Sequence, residues 1–364
     1  MRALLKLGAK VLSTNLGVFN PYELNFAITY RCNSRCRTCG IWKLKAKVGN
    51  EMTIDEIKKF AAKIKFVHWI RLTGGEPFLR SDYVEIVRTL NNNLDLFMLT
   101  TPTNGTMPKL IYEKVRNVLK FFRGKYVVTV SLDGPKDVHD YIRGVECWDR
   151  CIETYKMLSR LQNRLKNKNF KVFFGYTISP YNVGRLEEAL AEVKEILPEV
   201  GLKDFHVNIF QMSEIYYHNI GNAIKRKQVH ETRYKEAEEA QYKKEAAREI
   251  DLCIRERSKS LDPISRIELR YLTLAKKYLR SGRTPLDCNI FNLSCFVDPS
   301  GNVYPCTIFN KRLGNLRLEN YDLKKILCSK RAKAVMKDII KKKCPHCWTP
   351  CEAHNLILSN WFRV

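Results

Sequence analysis

Three cysteines, Cys32, Cys36 and Cys39, stand close together in "TYRCNSRCRTCGIW" with the spacing C-x3-C-x2-C. Three thiols suit neither disulfides, which need pairs, nor a structural zinc site, which takes four ligands. Three thiolates can instead hold three irons of a cubane cluster and leave the fourth iron open to another ligand. The alternative from spacing alone is a zinc knuckle completed by a distant residue.

Further groups follow at intervals. "LTGGEP" places Gly74 and Gly75, which permit close backbone approach, beside the carboxylate of Glu76. "TPTNG" offers Thr103 and Asn104, and "VSLDGPKDVHDYIRG" offers Ser131 and Arg143. Asp133, Gly134 and Pro135 also read as a plain turn. A second cysteine group comes late: Cys288, Gly301 and Cys306 as C-x12-G-x4-C, then Cys344 and Cys347 as C-x2-C. A zinc ribbon is the alternative there. Cys295 and Cys351 are spare ligands, while Cys147, Cys151, Cys253 and Cys328 fall in no ligand pattern.

The elements that must position these groups alternate. "NFAITY", "WIRLTGG", "LFMLTTPTNG", "YVVTVSLDG", "KVFFGYTIS" and "DFHVNIF" read as strands, with amphipathic helices between them. The first helix, "TIDEIKKFAAKI", starts at Thr53 with Glu56 at the capping-box position. Regular alternation predicts an α/β fold with a parallel sheet, here a partial (β/α)6 TIM-like barrel. The first four motifs all fall at the carboxyl ends of strands, where such sheets carry their sites. A small Cys-rich α+β unit follows, with two short strands, "SCFVD" and "NVYPC", joined by the turn "PSGN". The expected division is an N-terminal basic amphipathic helix (1–23), the barrel (24–212), a charged helical insertion (213–281) and the Cys-rich unit (282–364).

With these motifs in this order, the chain resembles the radical S-adenosylmethionine (SAM) superfamily, and its C-terminal part resembles the auxiliary-cluster extension called SPASM, in its shortened twitch form. The resemblance implies a SAM-binding [4Fe–4S] cluster on Cys32, Cys36 and Cys39. It implies SAM contacts from Gly74, Gly75 and Glu76 to the amino group, Ser131 to the ribose and Arg143 to the carboxylate, with Thr103 and Asn104 pointing at the site. It implies one auxiliary [4Fe–4S] cluster on Cys288, Cys306, Cys344 and Cys347, acting as an electron relay. An electron donor of ferredoxin or flavodoxin type is the implied partner. One position departs from the family: Thr38 precedes the third cysteine where an aromatic residue usually stacks near the adenine, and Trp42 comes just after the motif.

The bulk properties bound the rest. The chain has 364 residues, 45% hydrophobic content and thirteen cysteines, mostly clustered, which argues for metal ligation in a reducing compartment. No secretory signal and no run of 18 apolar residues appear, so a cytoplasmic location is expected. The formal charge of +26 favours an anionic partner or reflects thermal adaptation. Arg2, Lys6 and Lys10 recur every four residues, away from Leu4, Leu5, Val11, Leu12 and Leu16. That helix either docks on its own domain or rests on the inner, anionic face of a membrane. Residues 223–258 read as a long exposed helix. Three functions therefore compete: radical modification of a peptide or protein, favoured by the "SLDGP" segment; radical modification of a lipid or small metabolite; and a non-catalytic iron–sulfur or zinc protein that binds nucleic acid. Tyr176, Asn208 and Gln211, at the ends of the last strands, are candidate pocket residues.

Overall fold

Residues with β-branched and aromatic side chains dominate the strands, and their period of two sets which face meets the helices. In the computed structural model, residues 8–13, 21–165, 169–220, 232–259 and 263–360 are described. Six parallel strands form the barrel wall: β1 (Glu23–Ala27), β2 (Trp69–Thr73), β3 (Met98–Thr103), β4 (Lys125–Ser131), β5 (Phe170–Ile178) and β6 (Phe205–Ile209). Their spatial order is the order of the chain, so each crossover moves one strand along. Helices α1 (Ile54–Lys63), α2 (Tyr83–Asn93) and α3 (Pro108–Leu119) cover β1 to β4. Two helices, α4 (Lys136–Arg143) and α5 (Trp148–Leu165), follow β4, and α6 (Leu186–Ile196) follows β5. The sequence reading assigns no helix to the short α4, although Val138 and Ile142 lie on one buried face; it ends at Gly144, whose φ of 66° is a left-handed cap.

Packing follows parity. Tyr126, Val128 and Val130 of β4 are buried under helices, as Phe26 is against Phe60 of α1. The alternate residues, including Glu23, Arg71 and Ser131, face the barrel interior. The capping box on α1 is present, with Glu56 N donating to Thr53 Oγ1 (3.3 Å) and Thr53 N to Glu56 Oε2 (2.9 Å). Hydrogen bonds from Arg317 hold the Glu56 carboxyl down at about 2, which ties α1 to the C-terminal part of the chain.

That C-terminal part is joined to the barrel more closely than its local pattern suggests. β7 (Ser294–Val297) pairs in parallel with β1, on the edge opposite β2. β8 (Asn302–Tyr304) and β9 (Gly314–Asn315) continue the same sheet in antiparallel fashion. The turn between β7 and β8 is closed by Asp298, whose Oδ1 accepts from Ser300 N and Asn302 N, both at 2.9 Å. After α9 (Leu323–Leu327) and α10 (Lys330–Ile340), α11 (Pro350–Ser359) bonds to interior-facing groups of the barrel. Arg71 Nη2 donates to Pro350 O (3.3 Å), and Glu23 binds both Arg71 and Asn355.

The charged insertion is only partly a solvated helix. It forms α7 (Thr232–Arg257) and α8 (Pro263–Ser281), while residues 221–231 lie outside the described ones. Ala246, Ile250 and Cys253 of α7 are buried, and Glu249 accepts from Leu186 N (2.8 Å). At the N-terminus, residues 8–13 are helical and Lys10 donates to Phe66 O (2.6 Å), so this turn docks on its own domain. Arg2, Leu4, Leu5, Lys6 and Leu16 lie outside the described residues. Among the described residues no helix is long and apolar enough to cross a membrane.

Candidate active site

The cysteine loop leaves β1 and is held from three directions. Gly75 N donates to Thr29 O and Glu76 N to Arg31 O, both at 2.8 Å. The two glycines permit this approach. A Cβ on Gly75 would lie 2.2 Å from Arg31 O, and Gly74, at φ +145°, would put one 2.5 Å from Thr29 O. From α4, Ile142 O and Arg143 O accept from Arg37 N (2.8 Å) and Arg35 N (2.9 Å). From the segment after β6, Tyr217 O accepts from Gly40 N (2.6 Å) and Asn219 Nδ2 donates to Thr38 O (2.9 Å). This third support carries no sequence signal. Trp42 Nε1 donates to Cys39 O (3.0 Å), so Trp42 braces the loop.

Cys36 is buried, and Cys32 and Cys39 are half-buried. Burial pushes the Cys32 and Cys39 thiols up to about 12, and raises Cys36 as well. Bare, these would be three neutral thiols. A cationic iron centre reverses that preference, because the thiolate is the ligand form, so the donor set suits a cluster.

Around the loop, β2, β3 and β4 bring the other groups together. Glu76 is fully buried, and its carboxylate accepts from Thr103 Oγ1 (3.0 Å), Asn104 N (2.6 Å) and Phe78 N (3.2 Å). Burial raises it to about 7. An ionised carboxylate has about four acceptor positions, so one remains. Asn104 Nδ2 donates to Asn33 Oδ1 (2.6 Å), linking β3 to the cysteine loop. Arg143 pairs with Asp133 at 2.6 Å, and its Nη1 donates to Cys36 Sγ (3.8 Å), while its buried Nε has no partner among the described residues. Ser131 ends β4 on the interior face, half-buried. Ser34, between the cysteines, was missed from sequence; its buried Oγ also has no partner among the described residues.

Behind Asp133 and Asn104 lie His139, Cys147 and Cys151, whose ligand atoms are within 4.8 Å of one another. Asp133 N donates to His139 Nδ1 (3.0 Å), which leaves the imidazole proton on Nε2 for the Cys147 sulfur at 3.3 Å. Cys151 Sγ donates to Asn104 O (3.0 Å). The trio packs behind the site wall, and its ligand atoms lie close enough together to hold a metal ion, a grouping that the spacing of Cys147 and Cys151 does not show.

Two pocket expectations fare differently from the third. Asn208 lies on β6 with interior parity, and Gln211 Oε1 accepts from Tyr278 OH (3.1 Å). Tyr176 does not line the interior. It has the helix-facing parity of β5, is fully buried and donates to Asn182 O (3.0 Å).

The second cysteine group also converges. Cys288, Cys306, Cys344 and Cys347 line one cavity with Ile290, Ile308, Phe309, Ile339 and Glu352. Cys295, within β7, and Cys351, on α11, are not on its wall. Burial pushes Cys288 up to about 12 and raises Cys306 and Cys347 further. Four thiols in an apolar cavity suit a fully ligated cluster on the same reasoning.

Sequence profiles match both regions. The profile of the radical SAM superfamily matches residues 26–193, and that of SPASM, an iron–sulfur cluster-binding domain, matches residues 288–349. The chain belongs to the radical SAM superfamily. Membership implies a SAM-binding [4Fe–4S] cluster, SAM itself and an auxiliary iron–sulfur cluster. Among curated radical SAM relatives, the GTP 3′,8-cyclase of Haemophilus influenzae is 30% identical over 175 residues, 43% of this chain and 49% of the relative. A probable GTP 3′,8-cyclase of Saccharolobus solfataricus is 31% identical over 140 residues, 37% of this chain and 42% of the relative. The matches thus span about half the length of these relatives or less. Solved structures align over nearly the whole chain. Native anSMEcpe, with bound AdoMet and a peptide, gives a TM-score of 0.55 at 17% identity, covering 94% of this chain and 97% of that one. Streptococcus suis SuiB, bound to S-adenosylmethionine, gives 0.55 at 14% identity, covering 96% and 74%. At these identities the likeness is one of fold.

Proposed function

We propose that this radical SAM protein reductively cleaves SAM and uses the resulting 5′-deoxyadenosyl radical to take a hydrogen atom from a peptide or protein side chain. In this reading Cys32, Cys36 and Cys39 hold the SAM-binding cluster. The chemistry supplied when cluster and SAM are bound is one-electron cleavage of the sulfonium. The chain's own groups orient SAM. Glu76, using its remaining acceptor position, takes the amino group beside Gly74 and Gly75. Arg143, held by Asp133, meets the carboxylate, and Ser131 meets the ribose. Thr103 and Asn104 keep Glu76 in place. Cys288, Cys306, Cys344 and Cys347 hold the auxiliary cluster. The barrel at 24–212 and the Cys-rich unit at 282–364 are the two working parts.

The observation that carries the peptide reading is the segment after β4, "SLDGP…HD…RG", folded into the α4 turn that sets Arg143 on Cys36. The peptide bound to anSMEcpe, whose fold spans nearly the same length, supports it. A second reading, a nucleotide or other small metabolite as substrate, rests on the GTP 3′,8-cyclases matched across the barrel half. A membrane-bound substrate has little support, since Lys10 of the basic stripe is spent on Phe66 O.

The test is anaerobic incubation of the reconstituted protein with SAM, dithionite and either a random peptide library or GTP. The proposal expects 5′-deoxyadenosine, and a mass change in a peptide. Release of 5′-deoxyadenosine stimulated only by GTP would replace the peptide reading with the nucleotide one. No 5′-deoxyadenosine under any condition would sink both.

A further inference from the structure

Most of the charge on this protein is mixed, but one face is not. Helix α7 carries seven Lys or Arg residues and seven Asp or Glu residues. Several are in ion pairs, such as Lys243–Glu239 (2.7 Å) and Arg248–Glu187 (3.2 Å). Between Leu323 and Lys343, across α9, α10 and the chain to Cys344, nine residues are Lys or Arg and only Asp338 is acidic. All nine are exposed. Among the described residues only two of them have an ion-pair partner, Lys325 with Glu319 (2.8 Å) and Lys342 with Asp287 (3.3 Å). Charge added for thermal stability comes as networks of both signs; this face has one sign.

Its location gives it a use. Lys342 and Ile340 line the same open groove as Cys288, Cys344 and His346, so the face borders the outer wall of the auxiliary cavity. Ile340 is 64% exposed, an apolar spot within the basic rim. Ala332, Val335 and Ile339 of α10 are buried against the core and Met336 is half-buried, so only Ala334 and Ile340 are exposed apolar residues and the helix has no broad apolar face to lay on a lipid surface. The segment has no aromatic residue to stack on bases. Eight of the nine cations are lysines, point charges that steer a partner without reading base edges.

We propose that this face is the docking surface for a small acidic electron-carrier protein, which gives up one electron beside Cys344. The proposal rests on the reading that the four late cysteines hold an iron–sulfur cluster. A field of one sign around an apolar contact suits a short-lived encounter, fast at low salt and weak at high salt. The carrier is oxidised by one electron and the iron of this protein is reduced by one.

The experiment uses the reconstituted full chain and a photoreduced acidic [2Fe–2S] ferredoxin. Binding is read by calorimetry, and iron reduction by stopped-flow absorbance, across a range of ionic strength. The variant is Lys337→Glu/Lys341→Glu/Lys343→Glu. Its control, Lys109→Glu/Arg116→Glu/Lys120→Glu along α3 and at its C-cap, makes the same change in net charge elsewhere. The first should lower the low-salt rate and affinity at least tenfold and flatten their salt dependence, and the control should change them less than threefold. Unchanged iron content and unchanged reduction by dithionite show that the fold survives. Equal losses in both variants, or none in the first, overturn the proposal. So does a loss confined to binding of a DNA oligonucleotide or phosphatidylglycerol vesicles. Because these readouts need no SAM cleavage, a dithionite-reduced protein that fails to cleave SAM would refute the proposed function without touching this result.

Discussion

The two cysteine sites use one side chain for opposite ends. At the first, three thiols sit in a loop ringed by hydrogen-bonding groups: the Glu76 carboxylate, the Arg143 guanidinium and the ends of β3 and β4. At the second, four thiols line a cavity walled by Ile290, Ile308, Phe309 and Ile339, with Glu352 as its one carboxyl. That carboxyl is committed to Thr307, whose N and Oγ1 both donate to it at 2.9 Å. The wall chemistry tracks the thiol count. A site one ligand short is surrounded by groups for a polar molecule, and the site with four has a mostly apolar wall, with Thr284, His346 and Glu352 as its polar members.

Removing one thiol from each site tests that contrast most severely. Cys36→Ala should abolish 5′-deoxyadenosine formation while leaving the auxiliary iron in place. Cys347→Ala should halve the iron content yet keep the change that SAM makes in the EPR spectrum of the reduced first cluster. If Cys347→Ala also erased the SAM response, the two sites would not be separable.

Next in size is Gly75→Ala. Its Cβ would meet Arg31 O at 2.2 Å, so the cysteine loop must shift. Overpacking of this kind costs roughly 1–3 kcal/mol. Calorimetric unfolding should show the loss, and iron should be lost from the first site before the second.

The Glu76 carboxyl, raised by burial to about 7, gives a pH signature. Because an ammonium group pairs with the ionised form, SAM affinity should rise with pH through about 7, falling below it by at most about tenfold per unit. Glu76→Gln should bind more weakly at pH 8 and show no such slope in a titration calorimeter. The stability sign is the reverse. From its ordinary value of 4.5 up to about 7, the folded carboxyl holds a proton that the unfolded one has lost, so this group makes the fold less stable as pH rises there.

The smallest effect is expected on the auxiliary side. Thr284 Oγ1 accepts from Cys347 N at 3.2 Å, and Thr284→Val removes that bond. A loss of about 1 kcal/mol is expected, seen as a small drop in Tm with full iron content. Loss of the auxiliary iron instead would mean that polar contacts, and not the thiols and their apolar wall, hold this site.

Much of the barrel and the first site was legible because the information is local. The six strands, the Thr53 cap, the cysteine loop and "GGEP" each rest on spacing within one element or one turn. Parity decided against Tyr176, which a strand-end position alone could not: residues one apart on a strand face opposite sides. The α4 helix, only eight residues long and opened by the turn residues Asp133, Gly134 and Pro135, was not read as a helix, although it carries Arg143.

By itself, then, the sequence determined the βα order, the three-thiol loop after the first strand and the groups at the ends of the next three strands. Only the tertiary structure decided that β7 joins β1, that four cysteines spread from 288 to 347 meet at one cavity, and that Arg143 lies on Cys36. It also decided that residues 217–219, after β6, hold the cysteine loop from behind. The reason is the same in each case. These contacts join residues far apart in the chain, and no local propensity or period records them. They form because the parallel sheet has already placed the strand ends side by side.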